Sequence, residues 1–254
     1  MEIINDNTSE LCGACRTGDI EVVEEILNTR VININVVDTD VGDTALILAV
    51  RNGHLNVVKR LLQHPDVDVN APGTRGWTPL MWAILWMDPI DNEDYGEYFD
   101  IVRTLLQVPS LQLGRCCDTG GTVLHYACQA NLVYILKLIC QDSRCNPALV
   151  NKKDNGGYTA LMRGVCMGHL DIVKELDMEG TDYHTKNMYG TTLIEMARRR
   201  NKAEVFEYLM QRPNVDTLMV ISAHNISRYL TTIDDLESLQ IPVTVKQFLS
   251  RFVN

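Results

Sequence analysis

An eight-residue pattern that recurs along the chain constrains the possible folds more than any other feature. Each copy reads Gly-x-Thr-x-(Leu or Ile), with an alanine or glycine three residues after the Leu or Ile. The copies begin at Gly42, Gly76, Gly120, Gly157 and Gly190, so they recur every 33 to 44 residues. A period of this size is typical of repeat arrays, in which each unit folds only against its neighbours. A further unit without the Gly-x-Thr element begins the array over residues 10–27.

The residues that follow each copy predict a second helix. Counted from the small residue, and past an insertion in the unit that contains Ala83, positions +8, +9, +12 and +13 are apolar in all six units except at Asp177. This spacing places them on one face of a helix. We therefore expect two antiparallel helices and a hairpin-like finger in each unit. Fraying or exposure of the helix end is expected at Asp177.

The blocks "WTPLMWA" and "TVLHYA" resemble the ankyrin repeat, whose signature includes Thr-Pro-Leu-His-x-Ala. The resemblance implies an all-α solenoid of about six helix-pair units with hairpin fingers, over residues 1–216. In that family, partners bind the concave face formed by the fingers and first helices. The variable positions there include six candidate substrate-binding residues: Arg51, Arg75, Trp77, Trp86, Tyr158 and Tyr189.

Residues 88–97, "DPIDNEDYGE", are an acidic insertion that delays the second helix of one unit until about Ile101. It is either a surface loop, which repeat proteins tolerate at little cost, or an extension of one end of the binding groove. Likewise, Trp86 either contacts a partner or packs under the insertion.

Cysteine and histidine positions favour structure over chemistry. "CGAC" at 12–15 has the spacing of a redox or zinc motif, but it has no second ligand pair. Cys15 follows the small residue of its unit, a cramped position that suits a small apolar side chain. The resemblance implies that His54, His125 and His169 join neighbouring units. We find no catalytic set and expect neither metal nor cofactor.

Charge and hydropathy restrict the remaining function classes. The net charge of −10 disfavours nucleic acid as a partner. No apolar run approaches the ~20 residues of a membrane-spanning helix. The N-terminus, "MEIINDNTSE", lacks the features of a secretory signal. These features lead us to expect a cytoplasmic protein, with nuclear location also open.

The last forty residues do not continue the repeat. In "TLMVISAHNI", Leu218, Ser222 and Ile226 are four residues apart and share one helix face. This segment and "LQIP" at 239–242 resemble a SOCS box over residues 217–254. The resemblance implies elongin binding through Leu218, Ser222 and Ile226. It also implies cullin binding through three later residues: Leu239, Ile241 and Pro242.

Ankyrin repeats followed by this box resemble the ankyrin repeat and SOCS box family. The family resemblance implies a non-catalytic substrate receptor of a cullin–RING ubiquitin ligase, with elongin B/C, a cullin scaffold and an unidentified protein substrate as partners. Two alternatives stay open. One is an ankyrin scaffold whose tail is only a structural cap, and the other is an enzyme using Cys12, Cys15 or a histidine.

Overall fold

The computed structural model describes residues 2–29, 32–87, 96–178 and 180–212, with side chains from residue 9 onward. Within these ranges the fold is all-helical and contains no strands; a single bridge joins Val37 and Thr44. The helices are α1 Glu2–Thr17, α2 Ile20–Thr29, α3 Ala45–Arg51, α4 Leu55–Leu62, α5 Pro79–Leu85, α6 Gly96–Leu106, α7 Val123–Gln129, α8 Val133–Gln141, α9 Pro147–Val150, α10 Ala160–Met167, α11 Leu170–Glu175, α12 Leu193–Arg199 and α13 Ala203–Met210. The chain divides into two compact units at Thr181.

The first unit contains two layers of helices. The first helices of successive repeats pack in the order α1, α3, α5, α7, α10. In the second layer α2 packs against α4, α4 against α6, and α8 against α11. In the second unit, α12 packs against α13. This arrangement confirms the helix pairs that the periodicity predicts.

The Gly-x-Thr element makes the turn from each finger into its first helix. The five glycines have φ between 69° and 78°, the left-handed region where a side chain is strained. The threonine is the N-cap: the hydroxyls of Thr44, Thr78, Thr159 and Thr192 accept the N–H of the residue three positions later. Each cap satisfies a helix N–H that would otherwise lack a partner.

The small residue of each block lies where the two helices of a repeat meet. A Cβ on Gly164 would lie 2.7 Å from Cγ2 of Ile172 on the paired helix. Position +13 is only half-buried in all six units, including Asp177. Helix α11 ends at Glu175, before this charge. The early end of α11 agrees with the fraying expected there, whereas Asp177 itself is half-buried like its apolar counterparts.

The Cys-x-x-Cys pair lies inside α1. Cys12 is 1% exposed and Cys15 is fully buried. Burial raises the pKa of Cys12 to about 11 and also raises the pKa of Cys15. Both thiols are therefore protonated at neutral pH. This favours packing over chemistry, because the thiolate is the form that reacts and binds metals.

Candidate functional site: a groove between the fingers and the first helices

Each finger is a short loop closed by backbone hydrogen bonding. In the repeat of Gly76 the N–H of Gly73 donates to the carbonyl of Trp77 at 2.9 Å. In the repeat of Gly157 the N–H of Asp154 donates to the carbonyl of Tyr158 at 2.8 Å. Neighbouring fingertips are also joined, because the N–H of Asp118 donates to the carbonyl of Arg75 at 3.0 Å. These bonds close each of these fingers and join neighbouring fingertips.

Four side chains from three repeats form a continuous series, Arg51–Trp82–Trp77–Tyr126. The guanidinium carbon of Arg51 lies 4.3 Å from the ring centroid of Trp82. The Trp82 and Trp77 centroids are 5.1 Å apart, and those of Trp77 and Tyr126 are 4.4 Å apart. Tilted aromatic pairs at such distances are attractive beyond simple burial, as is a cation over an indole face. The series therefore gives this side of the fold a rigid row of anchors.

Hydrogen bonds at both ends fix the series. At one end Arg51 is ion-paired with Asp43, whose side chain is fully buried and also accepts the N–H of Thr74 at 2.8 Å. At the other end the Tyr126 hydroxyl lies 2.9 Å from the Cys117 sulfur. The next repeat has a similar arrangement, with Arg163 paired to Asp154 and 4.6 Å from the Tyr158 ring centroid.

A groove of about 660 Å³ opens next to Arg51. Its lining residues are Arg16, Val41, Leu48, Arg51, Asn52, Trp86 and Tyr98. Trp86 is 51% exposed and Val41 is 36% exposed, so the groove presents apolar surface to solvent. The charged residues among the described ones that line it are both arginines. The volume lies within the range of typical ligand sites.

Tyr98, the residue that directly follows the acidic insertion, forms part of this groove. Helix α6 begins at Gly96, and the hydroxyl of Tyr98 donates to the carbonyl of Arg51 at 2.8 Å. In two other repeats a histidine makes the equivalent contact: Nε2 of His54 with the carbonyl of Arg16, and Nε2 of His169 with that of Gln129. Because a carbonyl only accepts, Nε2–H is the donor in both. Tyr98 thus makes in this repeat the contact that the turn histidine makes in the other two.

His125, the third of the histidines singled out from the sequence, is also structural. His125 is 2% exposed, and its Nε2 donates to the carbonyl of Tyr158 at 2.9 Å. Nδ1 accepts the N–H of Thr122 at 3.1 Å. Burial lowers the pKa of His125, so the ring is neutral at pH 7. His54, His125 and His169 all join neighbouring repeats, as the sequence predicts.

Replacing Tyr98 with phenylalanine is expected to lower the free energy of unfolding by about 1 kcal/mol, the usual net value of one hydrogen bond. The substitution removes only the hydroxyl that joins α6 to the end of α3. Urea denaturation of the full chain measures the change. Tyr189→Phe is the control, because Tyr189 is 72% exposed. Equal stabilities for the two variants would contradict the role of Tyr98.

The six candidate substrate-binding residues are distributed as follows. Arg51 and Trp86 line the groove, Trp77 lies within the aromatic series, and Tyr158 lies against Arg163. Arg75 is exposed at a fingertip with φ of 60°. Tyr189 belongs to the second compact unit. The elongin-binding and cullin-binding residues lie outside the described residues.

Sequence reasoning missed Arg16, Trp82 and Tyr98. Arg16 follows Ala14 by two residues, just as Arg51 follows Ala49, so the register of the repeat could have identified it. Trp82 immediately precedes the small residue Ala83, a position that Tyr126 and Arg163 share in later repeats. Tyr98 precedes Ile101 by three residues, just as His54 precedes Val57 and His169 precedes Ile172, so counting back from the apolar face of the second helix could have identified it.

A family model described as "Ankyrin repeats (3 copies)" matches residues 11–107 and 93–187, well over half of the chain. The chain belongs to the ankyrin-repeat family. Ankyrin repeats form a scaffold for protein–protein interaction, and most members of the family are not enzymes.

Two relatives have similar sequences. Ankyrin repeat-containing protein C6C3.08 of Schizosaccharomyces pombe is 29% identical over 170 residues, which are 67% of this chain and 68% of that protein. Palmitoyltransferase AKR1 of Lachancea kluyveri is 28% identical over 226 residues, covering 74% of this chain but only 29% of the enzyme. The similarity therefore concerns a minor part of that enzyme.

The fold is also similar to a solved ankyrin repeat protein, EF0377. Its crystal structure has a TM-score of 0.69 and 26% identity, covering 80% of this chain and 98% of that one. In the described part of this chain, no helix has both the length and the apolar character needed to span a membrane. Over the same residues, no cluster of three His, Cys, Asp or Glu side chains could hold a metal ion.

Proposed function

We propose that this protein is a non-catalytic receptor that holds a protein partner in the groove beside the fingers. The observation that carries the proposal is the groove itself, which combines exposed Trp86 with Arg51 at the end of a stacked aromatic row. Tryptophan, tyrosine and arginine supply most of the binding energy at protein interfaces.

Pre-organisation supports the same proposal. Arg51 is fixed by Asp43 and Trp82, and Trp77 is fixed between two other rings. Side chains that are already ordered lose little conformational entropy when a partner binds. We propose that Arg51, Trp77, Trp86 and Tyr158 contact the partner. Arg75 and Tyr189 are proposed as further contacts at their own fingers.

The finer form of the proposal is a substrate receptor of a cullin–RING ubiquitin ligase. Its support is the sequence of residues 217–254, taken as a box separate from an ankyrin domain at 1–216. Leu218, Ser222 and Ile226 would bind elongin C with elongin B, and Leu239, Ile241 and Pro242 would bind a cullin. Tethering raises the local concentration of substrate lysines near the ubiquitin-loaded enzyme, without chemistry by the receptor. The cytoplasm is the proposed location.

Quantitative affinity capture tests both parts of the proposal. The full chain is compared with Trp86→Ala, Leu218→Ala and a control, Tyr134→Ala, whose ring is 49% exposed on α8 outside the groove. We expect Trp86→Ala to lose substrate proteins but keep elongins B and C, and Leu218→Ala to show the reverse. If Trp86→Ala and Tyr134→Ala capture the same proteins as the parent, the groove is not the receptor site.

A further inference from the structure

We infer that the groove recognises an acidic segment of its partner, in which an aspartate or glutamate lies close to a bulky apolar residue. The carboxylate would be bound by Arg16 and Arg51, and the apolar side chain would pack on Trp86 and Val41. This inference rests on the proposed function and names the class of partner.

The two guanidinium groups have unused hydrogen-bond donors. Each guanidinium carries five N–H groups. Arg16 donates through Nη2 to Asp38 at 3.0 Å, and Arg51 donates through Nη1 to Asp43. Their other N–H groups donate to no further acceptor among the described residues. The side chains are 43% and 27% exposed respectively, so a ligand can reach them.

The groups are also held in place for a ligand. Arg16 and Arg51 occupy equivalent positions at the ends of the first helices α1 and α3, which pack directly against each other. Their backbone carbonyls are bound by His54 and Tyr98, one repeat further along. A segment lying across these helix ends would meet the two arginines in succession. Arginine binds carboxylates through paired, charge-assisted hydrogen bonds, which are among the stronger kinds.

The composition of the groove decides the sign of the partner's charge. Among the described residues that line it there is no acidic side chain, whereas there are two arginines. A lysine or arginine entering the groove would therefore meet like charges. The chain as a whole has a net charge of −10, so long-range electrostatic attraction does not favour an acidic partner. Selectivity must come from direct contact with the guanidinium groups, which act over a few ångströms.

Selection from a random 12-residue phage-displayed peptide library on the full-length protein tests the inference. We expect enriched peptides to carry Asp or Glu within about three residues of Leu, Ile, Phe or Trp. Synthetic copies of these peptides should bind Arg16→Gln and Trp86→Ala at least tenfold more weakly than the parent. Arg16→Lys should restore part of the loss. Arg115→Gln, an exposed arginine outside the groove, is the matched control and should bind like the parent.

The outcomes separate this inference from the proposed function. Enriched peptides that need Trp86 but carry no carboxylate, or that bind Arg16→Gln as tightly as the parent, overturn the inference and leave the receptor function standing. The absence of any enriched peptide also overturns the inference. The receptor function fails as well when neither selected peptides nor captured proteins depend on Trp86. Thermal unfolding of each variant confirms that lost binding does not reflect lost folding.

Discussion

Replacing Arg144 with lysine is expected to lower the free energy of unfolding by about 3 kcal/mol. All five N–H groups of this guanidinium are used. Two donate to the Asp142 carboxylate, at 2.8 and 2.5 Å. The other three donate to the carbonyls of Leu106, Val108 and Leu111 at 2.6, 2.8 and 3.2 Å. The carbonyl of Leu106 is at the end of α6, where a helix leaves acceptors without partners, and those of Val108 and Leu111 lie in the turn that follows.

Lysine cannot reproduce this arrangement. It has three donors on one nitrogen and lacks the planar fork that reaches several acceptors at once. Hydrogen bonds to charged groups contribute about 1.5–3 kcal/mol each, and at least two would be lost. The Arg144 side chain is 27% exposed, so water replaces part of the loss and keeps the total near 3 kcal/mol.

Urea denaturation of the full chain at neutral pH measures the effect. Arg115→Lys is the control, because Arg115 is exposed and should tolerate lysine within about 0.5 kcal/mol, as surface positions usually do. If the urea unfolding curve of Arg144→Lys had the same midpoint and slope as that of the parent, the stability of the end of α6 would not depend on Arg144.

The ion pair between Arg144 and Asp142 predicts that the free energy of unfolding depends on pH. The hydrogen bonds from Arg144 hold the pKa of Asp142 below its usual value. When folding depresses the pKa of a carboxyl group, its ion pair contributes fully to the free energy of unfolding above the pKa of the unfolded chain, which is about 3.9. That contribution is lost as the pH falls through the pKa of the folded state. The stability difference between the parent and Arg144→Lys should therefore narrow as the solution is acidified below about pH 4.

The helix pairs were predictable because their causes are local and repeated. A glycine with positive φ, an N-cap threonine and a small residue at the helix crossing recur in register, so each unit supports the interpretation of the others. Arg144 is the opposite case. Its three carbonyl acceptors lie 33 to 38 residues earlier in the chain, and they are backbone atoms that carry no sequence signal. Only the folded array shows that one turn residue completes a helix in the preceding repeat.

The groove was predictable in part for the same reason. Arg51 and Trp86 occupy variable positions of the repeat, which indicate surface available to a partner. The contacts that order them depend on packing between repeats. The stacking of Trp82 on Arg51 and the bond from Tyr98 to the Arg51 carbonyl each join residues from different units. The pattern can show which positions face outward, but it cannot show which of them touch.

The second large effect is expected at Leu218. Leu218→Ala should weaken elongin B/C binding more than tenfold. On the proposed function, the resemblance to the SOCS box family implies that Leu218 enters an apolar pocket on elongin C, and burying a leucine contributes roughly 1.5–3 kcal/mol. Truncating an interface anchor often costs more than about 2 kcal/mol, and ~1.4 kcal/mol corresponds to one decade in Kd. Ser222 stands where the family has cysteine, so Ser222→Cys should strengthen binding by removing a hydroxyl that an apolar pocket leaves unsatisfied.

Calorimetric titration of purified elongin B/C into the full-length parent and both variants measures these effects. The ankyrin units should remain folded in each variant, because the apolar positions of the last repeat's second helix end at Met210, before either substitution. An unchanged thermal transition for Leu218→Ala therefore assigns any loss of affinity to the docking contact. Two results favour the structural cap instead. One is a parent chain that forms no elongin complex at micromolar concentration, and the other is a Leu218→Ala variant that binds as tightly as the parent.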